Sequence, residues 1–98
     1  MHEIVLQFSE RVVLANAMQE LEAQRTRVQQ ALAADPSATV VADLGGLREV
    51  DTSALALVLQ LDRMVRQGTS QPLRIRRAPE SLRSLARLSS LSSALHWE

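Results

Sequence analysis

The chain lacks cysteine and lysine, and its 98 residues contain one phenylalanine, one tryptophan and no tyrosine. Without cysteine there is neither a disulfide framework nor a thiolate metal site, which is compatible with a reducing compartment. With so few aromatic rings there is no stacking platform for nucleic-acid bases, and the formal net charge is zero. We therefore expect no nucleic-acid partner, although residues 74–77 form the basic run RIRR.

The chain also lacks long hydrophobic runs. No uninterrupted apolar stretch approaches the roughly 18 residues that a membrane-spanning helix requires, and the chain has no basic start followed by an apolar segment. We therefore expect neither secretion nor direct insertion into a membrane. Apolar residues still make up 46% of the sequence, enough for one modest core, so we predict a single domain over residues 1–98.

Residue types that support catalysis or metal binding are sparse. His2 and His96 lie near the chain ends, where mobility is the default, and neither indicates a catalytic dyad or a metal site. The pattern places no histidine to activate Ser53, and Gly45-Gly46 lacks the spacing and the lysine of a phosphate-binding loop. We therefore expect no enzymatic activity, no metal and no cofactor.

The first half of the chain predicts two strands, a helix and a third strand. Residues 4–8 and 12–14 are short apolar segments separated by polar turn residues. Asn16 is suited to cap a helix that continues to Ala34. The apolar stripe of that helix is formed by Met18, Leu21, Val28 and Leu32. Residues 39–44 (TVVADL) are β-branched and apolar, as expected for a buried central strand.

The second half predicts a loop (GGLREV) and then two helices around one strand. A long helix from Ser53 to Gln67 ends near Gly68, a natural C-cap. Residues 73–76 alternate as a half-buried strand does, and Pro79 opens a final helix where its missing N–H costs little. The order β-β-α-β-α-β-α predicts an α/β fold in which the helices pack against a small mixed sheet.

The segment VDTSALALVLQL, residues 50–61, is apolar almost all the way round. At about 100° per residue, the stripe that would cover the sheet consists of Ala54, Leu57, Val58, Leu61, Met64 and Val65. The opposite side carries Leu55, Ala56 and Leu59, followed one turn later by Asp62, Arg63 and Arg66. One interpretation is that Leu55 and Leu59 pack under a neighbouring helix. The other, which we favour, is a surface patch that binds a partner.

Three polar residues, Asp51, Thr52 and Ser53, mark the start of this helix, although one residue is enough for an N-cap. Either hydroxyl is also placed for phosphorylation, because the free amides and the positive end of the helix dipole tolerate the added charge. A third interpretation is that the hydroxyls donate hydrogen bonds to a partner across an interface. The residues alone do not choose among these three interpretations.

The segment DLGGLREVDTSALALVLQLDRMVRQG (43–68), followed by LRIRRAPESLRSLARLSSL (73–91), resembles the STAS domain, the fold of bacterial anti-sigma-factor antagonists. In that family an Asp-Leu strand end leads through a loop to Val-Asp-Ser/Thr-Ser/Gly at the start of a helix. The resemblance covers residues 39–95 in sequence and residues 1–38 in element order. It implies a STAS-like α/β fold for the single domain.

Within the family, Thr52, the run LALVLQL and the ending RMVRQG are most similar to the STAS subunit of Mla-type phospholipid-transport ABC complexes. This resemblance implies a non-catalytic accessory or regulatory subunit that binds the ATPase subunit of the transporter. It also implies a cytoplasmic location, or one peripheral to the inner membrane through the complex. Thr52 falls on the hydroxyl position of the ATPase contact. The residues expected to bind the partner are Thr52, Ser53, Leu55, Ala56, Leu59 and Arg63.

The resemblance also implies an alternative, an anti-sigma-factor antagonist whose partner is an anti-sigma-factor kinase. Ser53 falls on the position that phospho-regulated antagonists use as the phosphoacceptor. Ala54 stands where those antagonists usually have Gly, which favours the transporter hypothesis.

Overall fold

Two parallel sheets and three α-helices make up residues 2–98, which the computed structural model describes. In chain order the elements are β1 (Glu3–Gln7), β2 (Arg11–Val12), α1 (Ala17–Ala34), β3 (Thr39–Asp43), β4 (Glu49–Val50), α2 (Thr52–Thr69), β5 (Arg74–Arg76), α3 (Glu80–Leu88), a 3-10 turn (Ser92–Ala94) and β6 (His96–Trp97). The main sheet has the order β1-β3-β5-β6, and β2 pairs with β4 in a second sheet. The predicted α/β class, with helices packed against a small sheet, is confirmed, but the sheet was predicted to be mixed and all strand pairs within residues 2–98 are parallel.

The three helices lie on one face of the main sheet. Neighbouring strands pair in parallel and are joined by α1, α2 and α3 in turn. Crossovers between parallel strands are right-handed, so successive crossovers in this strand order carry every helix to the same face. Leu6, Ala42 and Ile75 lie opposite one another in the register. They share one hydrophobic core with Val28 of α1 and Leu82 of α3.

The predicted buried strand at 39–44 is confirmed, since every residue of β3 is buried. On the face away from the helices, Arg76 of β5 pairs with Glu3 of β1 at 3.2 Å and with Glu98 at 3.0 Å. Because β3 lies between β1 and β5, the Arg76–Glu3 pair crosses over β3, where Val41 is 0% exposed. An arginine stem covers apolar surface while its charged head stays in water. Side chains, rather than a helix, thus cover part of this face, on which Val5 of β1 remains 38% exposed.

Asp43, the last residue of β3, holds the turn that follows it. Its Oδ1 accepts hydrogen bonds from the Gly45 backbone N–H and from Arg77 Nε, each at 3.0 Å, and its Oδ2 accepts from Arg77 Nη2 at 2.7 Å. The Arg77 guanidinium holds the pKa of the Asp43 carboxyl below its usual value. A Cβ at residue 45 would lie 2.5 Å from Arg77 Cζ, whereas one at Gly46 would meet nothing within 4 Å. The close approach of Arg77 therefore requires Gly45.

The strand predictions need three corrections. The predicted strand at 12–14 is the two-residue β2, which pairs in parallel with β4 instead of joining the main sheet. β4 lies within the predicted loop GGLREV. His96, expected to be mobile, lies in β6 opposite Arg74, in a strand that the sequence does not predict. Strands of two residues are too short to show an alternation in the sequence.

The N-cap predicted for α1 at Asn16 and the C-cap predicted for α2 at Gly68 also differ from the structure. The Asn16 Oδ1 accepts a hydrogen bond from the Val13 backbone N–H at 2.9 Å, so this side chain secures the loop before α1 rather than the first-turn amides. α2 continues past Gly68, and the left-handed position that ends it belongs to Ser70, with φ 64°. Gly68 instead lies close to α1, since a Cβ there would be 3.0 Å from Leu32 Cδ1.

Candidate partner-binding site

Asp51 is the N-cap of α2 and ties that helix to a second segment of the chain. Its Oδ1 accepts a hydrogen bond from the Ser53 backbone N–H at 2.8 Å, as an N-cap carboxylate does. Its Oδ2 accepts from the Leu14 backbone N–H at 3.0 Å. These hydrogen bonds, the one from Leu14 foremost, lower the pKa of the Asp51 carboxyl. One carboxylate thereby holds Leu14 beside the start of α2.

Thr52 and Ser53 are not needed as N-caps, because Asp51 fills that role. The Thr52 side chain is exposed, whereas Ser53 is half-buried. The Ser53 hydroxyl also contributes to the lowered pKa of the neighbouring Asp51 carboxyl. Of the three interpretations of the hydroxyls, contact with a partner and phosphorylation remain. Thr52 offers a solvent-exposed hydroxyl at the start of α2.

Leu55 is 3% exposed and belongs to the hydrophobic core, so its expected place in a surface patch is wrong. α2 is the middle helix of the three and packs against both α1 and α3. Its buried arc is therefore wider than one stripe, which accounts for the apolar character of residues 50–61. The stripe predicted to face the sheet is confirmed, with Met64 partly buried and the others buried: Ala54, Leu57, Val58, Leu61 and Val65.

Five exposed residues of α2 form what we call the outward line: Thr52, Ala56, Gln60, Arg63 and Gln67. Successive members are three or four residues apart, so they follow one another along a single side of the helix. The line contains three of the six residues predicted to bind a partner. Two others, Ser53 and Leu59, flank it, and both are half-buried.

An apolar cleft of about 260 Å³ lies between α1 and the first turns of α2. Its lining consists of Leu14, Ala17, Met18, Leu21, Ser53, Ala56, Leu57 and Gln60. Leu14 and Met18 are 79% and 70% exposed. Adjoining apolar side chains at this exposure mark an interaction site more often than scattered ones do. The apolar cleft therefore adds two residues to the candidate site, next to Ser53 and Ala56.

The sequence prediction for Met18 is wrong, since Met18 does not belong to the buried stripe of α1. On a helical wheel Met18 lies about 80° from Val28, at the edge of the arc that faces the core. That angle is the signal that distinguishes Met18 from its neighbours. Leu14 has no such signal in the sequence, because it precedes α1. Its position is fixed by the hydrogen bond that its backbone N–H donates to Asp51, 37 residues further along the chain.

The other end of the outward line is basic. Arg63 and Arg25 line a second cavity of about 280 Å³ between α1 and α2, together with Gln29, Gln60 and Gln67. Arg25 pairs with Glu22 at 3.3 Å, and Arg66, the next basic residue of α2, pairs with the buried Asp62 at 2.8 Å. Within residues 2–98, no hydrogen bond or ion pair engages the Arg63 side chain, which is exposed. Arg63 is thus a cation available to a partner.

No protein-family model matches this chain, and no curated protein is significantly similar to it. Across residues 2–98, no three histidine or acidic side chains converge in a group that could hold a metal ion. In the same part of the chain, none of the helices combines the length and the hydropathy needed to cross a bilayer.

Proposed function

We propose that this chain is a STAS domain that acts as a non-catalytic accessory subunit of an ABC transporter ATPase. The protein that the chain resembles most is MlaB, the STAS subunit of the Mla phospholipid-transport complex. MlaB binds the ATPase subunit of that complex. The proposal rests on the resemblance of residues 39–95, and the parallel sheet with three helices on one face is compatible with it. On this proposal the protein is cytoplasmic or associates with the inner membrane through the complex.

The observation that carries the proposal is the exposed Thr52 beside the apolar cleft. In the resemblance, Thr52 occupies the hydroxyl position of the ATPase contact. The structure has Thr52 exposed at the first residue of α2, with Ser53 and Ala56 lining the apolar cleft that Leu14 and Met18 also line. A hydroxyl that can form a directed hydrogen bond next to an apolar recess is a suitable arrangement for docking a protein.

The second candidate function is an anti-sigma-factor antagonist regulated by phosphorylation of Ser53. The position of Ser53 in the first turn of an 18-residue helix favours it, because the helix dipole attracts a phosphate. Ala54 opposes it, because this residue stands where the phospho-regulated antagonists usually have Gly. Asp51 does not distinguish the two functions, since an Asp at this position belongs to the motif of the whole family. We therefore place this function second.

Affinity purification of the tagged chain from its native cells tests the proposal. We expect the ATPase subunit of an ABC transporter to co-purify with the wild-type chain and to be lost with Thr52→Ala. The matched control is Ser81→Ala, which removes another exposed hydroxyl from the first turn of α3 and should leave the complex intact. Recovery of an anti-sigma-factor kinase with no ATPase would overturn the proposal, as would substantial phosphate on Ser53 by mass spectrometry.

A further inference from the structure

We infer that the outward line and the apolar cleft together receive an amphipathic helix of a protein partner. An apolar side chain of that helix enters the apolar cleft, and a carboxylate about two turns away pairs with Arg63. The inference rests on the proposed function only in placing the partner on α2. It goes further by stating the chemistry that the partner must present.

The spacing comes from the outward line itself. Ala56 lines the apolar cleft and Arg63 lines the basic cavity, and both face outward from the same side of α2. They are seven residues apart, which is two turns and about 10 Å along a helix that rises 1.5 Å per residue. A partner helix running along α2 repeats with the same period, so its apolar residue and its acid are separated by about seven positions.

The charge requirement comes from the pairing around Arg63. Its two basic neighbours are each paired with an acid of this chain, Arg25 with Glu22 and Arg66 with Asp62. Arg63 is the member of this group of three arginines that has no acidic partner within residues 2–98. Covering it with a partner that brings no carboxylate would remove water without replacing it, which is costly for a charged group. The same arrangement therefore selects acidic partners and rejects basic ones.

The same features argue for a protein rather than a lipid surface. Recruitment to anionic lipids typically uses clusters of four to eight basic residues. The basic end of this surface has three arginines and includes two acids, Glu22 and Asp62. The net positive charge of this end is too small to bind the domain to a membrane, but it is suited to one carboxylate of a protein partner.

Two probes test the inference with the full chain. The first is the purified ATPase subunit, with binding measured by isothermal titration calorimetry. We expect Arg63→Glu to weaken binding by about tenfold or more, as charge reversal at a contact does. Arg74→Glu makes the same charge change on the helix-free face of the sheet and should stay within about twofold. Likewise Met18→Asp should weaken binding strongly, whereas Leu88→Asp, at an apolar residue 85% exposed on α3, should not.

The second probe does not depend on the ATPase. It is a pair of helical peptides of about four turns that carry Leu and, seven positions later, either Glu or Lys. We expect the Glu peptide to perturb the NMR signals of Met18, Ala56 and Arg63 and to bind several-fold tighter than the Lys peptide. If the ATPase fails to bind but the Glu peptide is preferred on this face, the proposed function fails and the inference stands.

Three results would overturn the inference. The first is equal binding of the two peptides or no perturbation at this face. The second is an ATPase affinity unchanged by Arg63→Glu. The third is co-sedimentation of the chain with phosphatidylglycerol vesicles that both Arg63→Glu and Met18→Asp abolish, because the surface would then bind a membrane. Thermal unfolding followed by circular dichroism confirms that each variant is folded.

Discussion

Leu55 and Ala56 are neighbours in α2, yet Leu55 is buried in the core while Ala56 is exposed beside the apolar cleft. The difference follows from the place of α2 between α1 and α3. A helix with neighbours on two sides and a sheet beneath buries much of its circumference, whereas the outward line stays exposed. The buried arc therefore determines stability, and the outward line can vary to suit a partner at little cost to the fold.

The largest effect expected from this division is at Leu55. Leu55→Asp places a charge in the core without a counter-charge and should cost several kcal/mol, which is enough to unfold a domain of this size. Ala56→Asp should change the free energy of unfolding by only about 0.5 kcal/mol. Urea denaturation measures both. A folded Leu55→Asp variant with normal stability would mean that the two residues have been assigned to the wrong sides.

Next in size is a truncation within the buried arc. Leu61 is 1% exposed, and Leu61→Ala should destabilise the domain by about 2–5 kcal/mol because it leaves a cavity against the sheet. Gln60→Ala, one residue away on the outward line, serves as the control. A loss below about 1 kcal/mol at Leu61 would contradict the proposed burial.

On the outward side, the expected change is in binding rather than stability. Thr52→Ala should weaken the complex with the partner by about 1–3 kcal/mol if the hydrogen-bonding group of the partner is left unsatisfied. Ser53→Ala should weaken it less, because Ser53 is half-buried whereas Thr52 is exposed. Calorimetric titration of both variants decides the order. The reverse order would favour the phosphoacceptor hypothesis.

The smallest expected effect is at Asp51, the N-cap of the helix that carries both the buried arc and the outward line. Its pKa is lower in the folded chain than in the unfolded chain, so its stabilisation is present above the unfolded value of about 3.9 and is lost as the pH falls through the folded value. Asp51→Asn should be less stable than the wild type near neutral pH, and the difference should shrink on acidification. Urea denaturation at several pH values measures it. A difference independent of pH would contradict the role of the carboxylate.

The sequence predicted the elements that have long, regular patterns. The buried strand β3 and the stripe of α2 from Ala54 to Val65 repeat apolar residues often enough to be recognised. The same reasoning failed at Leu55 and Met18. Whether a residue at the edge of a stripe is buried depends on where the neighbouring helices lie, and a single helical pattern carries no such information.

The candidate site was predictable only in part. Ala56 and Arg63 are exposed as the periodicity of α2 predicted, and Thr52, which the resemblance placed in the site, is exposed as well. Leu14 could not be placed from the sequence. Its position depends on a hydrogen bond to a residue of a distant segment, Asp51, and such a contact leaves no periodic signal.

Gly45 and Gly46 have a consequence for how sequences of this kind diverge. A side chain at 45 would displace the Arg77 guanidinium and so break its pairing with Asp43, whereas a side chain at 46 meets open space. Position 46 should therefore drift freely among homologues. A side chain at position 45 should be tolerated where Arg77 swings aside or is itself replaced, at the cost of the pair with Asp43, so that two adjacent glycines come under different constraints.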